Sequence, residues 1–159
     1  PCNYYSVNAF ERERAVVAKV VAGGKLAYGY IGPDGREVIP CVYDEASSFK
    51  FKNTWVGTEQ EGEMSYQLID AEGKVILPYS VLNLQDGGKF GQAACAVRGD
   101  DGRLRYGILA NNGRSILPFE YDEITIFSEW DAAGNRWKEA GMATKDGTQY
   151  SFDISKRDE

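Results

Sequence analysis

The sequence predicts an all-β chain: tandem antiparallel β-hairpin repeats of about 40 residues, stacked as a curved open sheet or a partly closed barrel-like form. Three observations carry this expectation. A nineteen-residue pattern beginning at Tyr28 returns without a gap at Tyr66 and at Tyr106, spaced by 38 and 40 residues. Apolar and aromatic residues alternate with period two at the same place in each copy. Each copy also places Gly where a hairpin loop needs a positive φ.

Taken along the chain, each copy reads as three short strands. The first is small and apolar: Ala15 to Val21, Trp55 to Glu59, Ala93 to Arg98, and Ala140 to Lys145. A Gly-containing turn leads to the aromatic strand, where Leu26/Tyr28/Tyr30, Met64/Tyr66/Leu68 and Leu104/Tyr106/Ile108 share a face and predict the core side. The next turn is Pro33-Asp34-Gly35, Ala71-Glu72-Gly73 or Asn111-Asn112-Gly113. Pro presets φ for the first corner of a type I turn, and Gly supplies the left-handed residue of a bulge. The third strand, Val38-Ile39, Ile76-Leu77 or Ile116-Leu117, is expected to stop at the following Pro40, Pro78 or Pro118, because Pro lacks the N–H of an interior ladder. No segment predicts a helix beyond a turn around Phe10 to Arg14.

The ends extend the pattern. Pro1-Cys2, Tyr4 and Phe10 echo Pro40-Cys41, Tyr43 and Phe49. The expected organisation is one repeat domain over 1–159: 1–27 as the second half of a truncated copy, 28–65, 66–105 and 106–149 as repeats, and 150–159 as the start of a further copy or a tail.

The residues Tyr28-Gly29, Gly35, Val38-Ile39-Pro40 and Tyr43-Asp44 form a recognisable string, and Tyr106-Gly107, Gly113, Ile116-Leu117-Pro118 and Tyr121-Asp122 repeat it. The chain thereby resembles the WG-repeat family, a bacterial group of tandem β units. Two departures stand out: Tyr replaces the family's signature Trp in every copy, and the middle copy has Gln67 where Gly is expected. The resemblance implies an interaction module within larger proteins and carries over no catalytic residue.

Composition narrows the function classes. With 24 acidic and 18 basic residues the net charge is −6, which opposes nucleic-acid and anionic-membrane binding. No apolar run reaches the ~18 residues of a membrane span, so membrane insertion is not expected. The chain starts at Pro1 rather than Met, and the sequence leaves its compartment open. The three cysteines, Cys2, Cys41 and Cys95, show no CxxC spacing, and are read as free thiols with a Cys2–Cys41 bridge as the alternative.

His is absent, which removes the usual general base and the commonest transition-metal ligand. The remaining catalytic option is the repeated carboxylate pair, Asp44/Glu45 and Asp122/Glu123, as a glycosidase-like acid and base. Adjacent residues of an extended segment point to opposite sides, so these Asp are read as turn caps bonding their own backbone. Asp100-Asp101-Gly102 and Asp70 through Glu72 miss the ligand spacing of a calcium loop and are read as hairpin turns. Glu59, Glu61 and Glu63 are read as a solvated strand edge. No catalytic residue, cofactor or metal site is expected, and the chain is not read as an enzyme.

Tryptophans are the better lead. Trp55, Trp130 and Trp137 fall in segments where the copies disagree, and Ser128 to Lys138 reads as an inserted loop holding two of them. The expected function is a protein-binding repeat module. A carbohydrate or cell-envelope module stacking sugars on these rings is the alternative, and an acidic immunity-type inhibitor of a basic toxin is a special case of the first.

Overall fold

The computed structural model describes residues 3–86 and 91–154. The chain divides into two compact units, Pro1–Ser80 and Val81–Glu159. Each unit contains a four-stranded and a three-stranded antiparallel sheet, and no α-helix occurs among the described residues.

In the first unit, β1 (Ser6–Val7), β2 (Ala15–Val20), β3 (Leu26–Ile31) and β4 (Glu37–Tyr43) lie in that order in one sheet, and β5 (Glu45–Ala46), β6 (Thr54–Gln60) and β7 (Glu63–Ile69) form the other. The second unit repeats this arrangement. β8 (Leu82–Asp86), β9 (Ala93–Arg98), β10 (Leu104–Leu109) and β11 (Ser115–Tyr121) make the larger sheet, and β12 (Glu123–Asp131), β13 (Arg136–Lys145) and β14 (Thr148–Asp153) the smaller. A 3-10 turn at Ala22–Gly24 connects β2 to β3. The sheets are open and all-β, as the repeat pattern predicts.

The core of the first unit gathers Val16, Tyr30 and Ile39 with Phe49, Val56 and Ile69. Tyr30 is fully buried, meets Phe49 edge-on at 4.9 Å, and donates its hydroxyl to the Ser47 carbonyl at 2.7 Å, which satisfies its one polar atom. The second core uses Ala94, Ile108, Ile124, Ala143 and Ile154. Tyr30, Leu68 and Ile108, all expected on the core side of the aromatic strand, are each 0% exposed.

The three Gly-terminated turns share one geometry. The N–H of Gly35, Gly73 and Gly113 donates to the carbonyl of Gly32, Asp70 and Ala110, at 2.9, 3.0 and 2.9 Å. Their φ values are 76°, 86° and 84°, the left-handed region that only Gly adopts without a Cβ penalty. Asp101 sits in a similar turn, where its carboxylate accepts from the Arg103 N–H at 3.0 Å, and Asp70 accepts from Glu72 and Lys74. These oxygens are therefore occupied by hairpin backbone.

Four expectations need correction. First, the third strand does not stop at Pro. β4 runs through Pro40 and β11 through Pro118, because both are edge strands where a missing N–H interrupts no ladder. Both strands bulge: Tyr28 faces Tyr43 while Tyr30 faces Ile39, and Tyr106 faces Tyr121 while Ile108 faces Leu117. Second, among the described residues the middle copy forms no third strand, only a bridge from Ile69 to Val75.

Third, the repeat has a further strand: the segment after each Pro pairs with the small apolar strand as β1, β5, β8 or β12. Fourth, the Asp of each Tyr-Asp pair reaches the next hairpin rather than its own turn. Asp44 accepts from the Glu59 N–H at 2.7 Å and its own N–H donates to the Gly57 carbonyl. Asp122 does the same with Asp146 N–H, at 2.9 Å, and the Thr144 carbonyl. Glu45 instead accepts from the Tyr66 hydroxyl at 2.9 Å.

Candidate functional site: a tryptophan ribbon

The segment Ser128 to Lys138 is a strand ribbon and not the loop its composition suggests. β12 and β13 pair continuously from Glu123↔Thr144 to Asp131↔Arg136, and the turn Ala132 to Asn135 closes them. Asn135 takes a φ of 48°, and the Gly134 N–H donates to the Asp131 carboxylate at 3.2 Å. Among the described residues β14 pairs along β13 as far as Ala140↔Asp153, the Ile154 N–H donates to the Glu139 carbonyl, and β12 and β13 alone continue beyond.

Alternation divides the ribbon into two faces. Ile124 and Ile126 face the core, and the same face continues outward through Ser128 and Glu139 to Trp130 and Trp137. The two tryptophans are directly opposite, with ring centroids 5.6 Å apart at 72°. Such an edge-to-face pair holds the strands together by about 0.5–1.5 kcal/mol. They are nevertheless 50% and 61% exposed. At the base of this face Glu139 is buried and accepts from the Ser128 hydroxyl at 2.7 Å.

The other face is charged and balanced. Lys138 pairs with Glu129 at 3.0 Å and Arg136 with Asp131 at 4.0 Å. The hydrogen bond from Lys138 to Glu129, followed by the attraction of that carboxylate, raises the lysine above its ordinary range. A groove of about 230 Å³ lies on this face between Phe127, Lys138, Ala140 and Asp153. It is smaller than the ~300–1,000 Å³ that encloses a typical organic ligand.

Trp55 belongs elsewhere. It sits on β6 opposite Leu68 and is 3% exposed. Strand pairing explains why: Trp55 stands at the position of Val16 in β2 and Ala94 in β9, both buried. It therefore presents no ring face to a partner and leaves the group of candidate binding residues.

Cys41 is a half-buried free thiol and Cys95 a buried one; Cys2, and with it the Cys2–Cys41 bridge, lies outside the described residues. Among the described residues, no three His, Cys, Asp or Glu side chains come together as a metal cage, and no helix is long and apolar enough to cross a membrane.

The charged partners of the ribbon, Glu129, Asp131, Arg136 and Lys138, and the buried Glu139 were not singled out by composition. The signal that finds them is the strict alternation of Trp with charge on both sides of Ala132-Ala133-Gly134-Asn135.

No curated protein and no solved structure matches the chain significantly. The family model of the WG containing repeat matches residues 28–54 and 106–134. Both matches begin at a Tyr-Gly pair and run past the bulged Pro strand and the Asp clasp just described, so the chain carries a WG containing repeat in each of its two units.

Proposed function

We propose that this chain is a non-catalytic repeat module that binds a protein partner through the exposed face of the β12–β13 ribbon. The observation that carries the reading is the pair Trp130 and Trp137, cross-strand neighbours that keep half or more of their surface in water. Among the described residues the three counterparts of β12, the strands β1, β5 and β8, span two, two and five residues, and none forms a Trp-bearing ribbon. Aromatic residues on a rigid support are the residues most enriched at binding hot spots. The rings meet at 72°, which supports an apolar protein surface over the coplanar platform that successive sugar rings require.

The test is a quantitative pull-down from source extract with wild type and the Trp130→Ala/Trp137→Ala double variant. A discrete protein partner retained by wild type and reduced about thirtyfold or more by the double variant is expected, since hot-spot truncation costs about 2 kcal/mol or more. Circular dichroism is expected to show the fold intact. Equal retention by both proteins overturns the assignment, and capture of glycan alone moves the ligand to the carbohydrate class.

A further inference from the structure

The two rings of the ribbon offer more than apolar area. Trp130 and Trp137 stand at 72° with centroids 5.6 Å apart, so they form two walls of a corner, and half or more of each residue lies in water. The face of an indole is the negative side of its quadrupole, and a cation within about 6 Å of the ring centroid is attracted to it. With the centroids this close, one small cation in the corner reaches both rings. A flat guanidinium stacks on one ring at a time, whereas a compact ammonium touches both walls.

The surroundings carry charge of the matching sign. Among the six residues on the Trp face from Ile126↔Gly141 outward, only Glu139 ionises. It is 7% exposed, accepts from the Ser128 hydroxyl at 2.7 Å, and stands two residues from Trp137, about 7 Å along the strand. The ribbon's own bases, Arg136 and Lys138, alternate onto the opposite face, where Asp131 and Glu129 pair with them. Glu123–Asp153 holds six acidic and three basic residues, so this sheet carries half of the chain's net charge of −6. The field at the corner therefore favours a cation.

We propose that the Trp130–Trp137 corner binds a lysine side chain of the protein partner, with its methylenes along the rings and its ammonium between them. This rests on the ribbon being the binding face and names the chemistry of what binds there.

Indole N–H signals of the full chain in nitrogen–proton correlation spectra test this. The probes are the capped peptide Gly-Ser-Lys-Ser-Gly and its norleucine counterpart, which keeps the methylenes and lacks the ammonium. The Trp130 and Trp137 signals are expected to shift with the lysine peptide at an affinity of about 1–10 mM, and the norleucine peptide to bind at least about fivefold more weakly. Trp130→Leu/Trp137→Leu keeps apolar side chains on the ribbon and removes both quadrupoles. It is expected to bring the lysine peptide down to the norleucine level, read from the β12–β13 amides, whose dispersion also shows that the ribbon still pairs. Each single Leu variant keeps one ring as reporter and is expected to lose part of the preference. Equal affinity for the two peptides, no indole shift with the lysine peptide up to about 20 mM, or a lysine preference that the Leu variants retain overturns the proposal. Equal peptide affinities beside a partner that Trp130→Ala/Trp137→Ala still loses in the pull-down refute the lysine and leave the binding face standing. Equal retention in the pull-down refutes the face itself.

Discussion

Replacing Gly29 by Ala tests whether the Tyr-Gly pair exists to seat the bulged third strand. The new Cβ would meet three backbone atoms, Ile39 O at 2.5 Å and Cys41 N and Pro40 C at 2.7 Å, against about 3.4 Å for ordinary contact. Backbone cannot rotate aside like a side chain, so β4 must retreat by roughly 0.9 Å or lose its pairing with β3. Overpacking of this kind costs about 1–3 kcal/mol, and each ladder hydrogen bond weakened beside the bulge adds about 1 kcal/mol. Ala stiffens the unfolded chain and returns about 0.4–1 kcal/mol. The net expectation is a loss of about 3 kcal/mol, or roughly 12–24 °C in the midpoint of a unit of this size. Gly107→Ala is expected to cost less, because its shortest backbone contact, Leu117 O at 2.7 Å, is longer than that at Gly29, and its next contact, at 2.9 Å, is the Phe119 ring rather than backbone. Gln67→Ala at the equivalent site of β7 removes a half-buried side chain under no third strand and is expected to change the midpoint least. Thermal and urea unfolding of the three variants decide the order. A Gly29→Ala midpoint within 2 °C of wild type, or one matched by Gln67→Ala, would refute the seating argument.

Two further outcomes follow from the buried and clasping groups. The Glu59 N–H, and then Lys25 at 2.6 Å, hold the Asp44 carboxyl below its ordinary range. Its folded pKa is depressed, so its stabilisation is complete above the unfolded value of about 4 and disappears as pH falls through the folded value. Urea midpoints from pH 7 to 2 are expected to fall less steeply below pH 4 for Asp44→Asn than for wild type; parallel curves would contradict the clasp. Burial pushes the Cys95 thiol up to about 12 and leaves it 0% exposed, so iodoacetamide at pH 8 is expected to alkylate it only in denaturant. Native alkylation of Cys95 at the rate of a free thiol would contradict that burial.

What the sequence displayed and what it hid divide along physical lines. Turns whose backbone demands a particular residue were readable, because Gly35, Gly73 and Gly113 have no substitute at φ near 80°. The core positions Tyr30, Leu68 and Ile108 were readable from period-two alternation. The extent of β4 and β11 was not, since Pro marks a strand end in a sheet interior but is harmless on an edge, and edge status is a tertiary property. β1 and β5, two residues each, are too short to leave any periodic signal. Trp55 was misplaced because the copies tolerate Val16, Trp55, Ala94 and Gly141 at one pairing position, so residue type there says little about burial. The Trp130–Trp137 ribbon hid behind Ala132-Ala133-Gly134-Asn135, a loop-like string that is only the turn between two long strands.

The alternation of Gly29, Gln67, Gly107 and Ser151 changes what counts as the repeat. A unit of about 40 residues describes the sequence pattern, but successive copies build different objects: the Gly29 and Gly107 copies add a third strand, and the Gln67 copy has only a bridge there among the described residues. The physical period is therefore the pair of copies, with equivalent tyrosines at Tyr28 and Tyr106, and each compact unit contains one four-stranded and one three-stranded sheet. The residue after the aromatic thus acts as a local switch. Without a Cβ, β3 and β10 carry a bulged third strand; with one, β7 carries only the Ile69–Val75 bridge among the described residues. β7 carries Glu63 and is bridged at Ile69, while β14 carries Asp153 and lies on the same sheet as the Trp130–Trp137 ribbon.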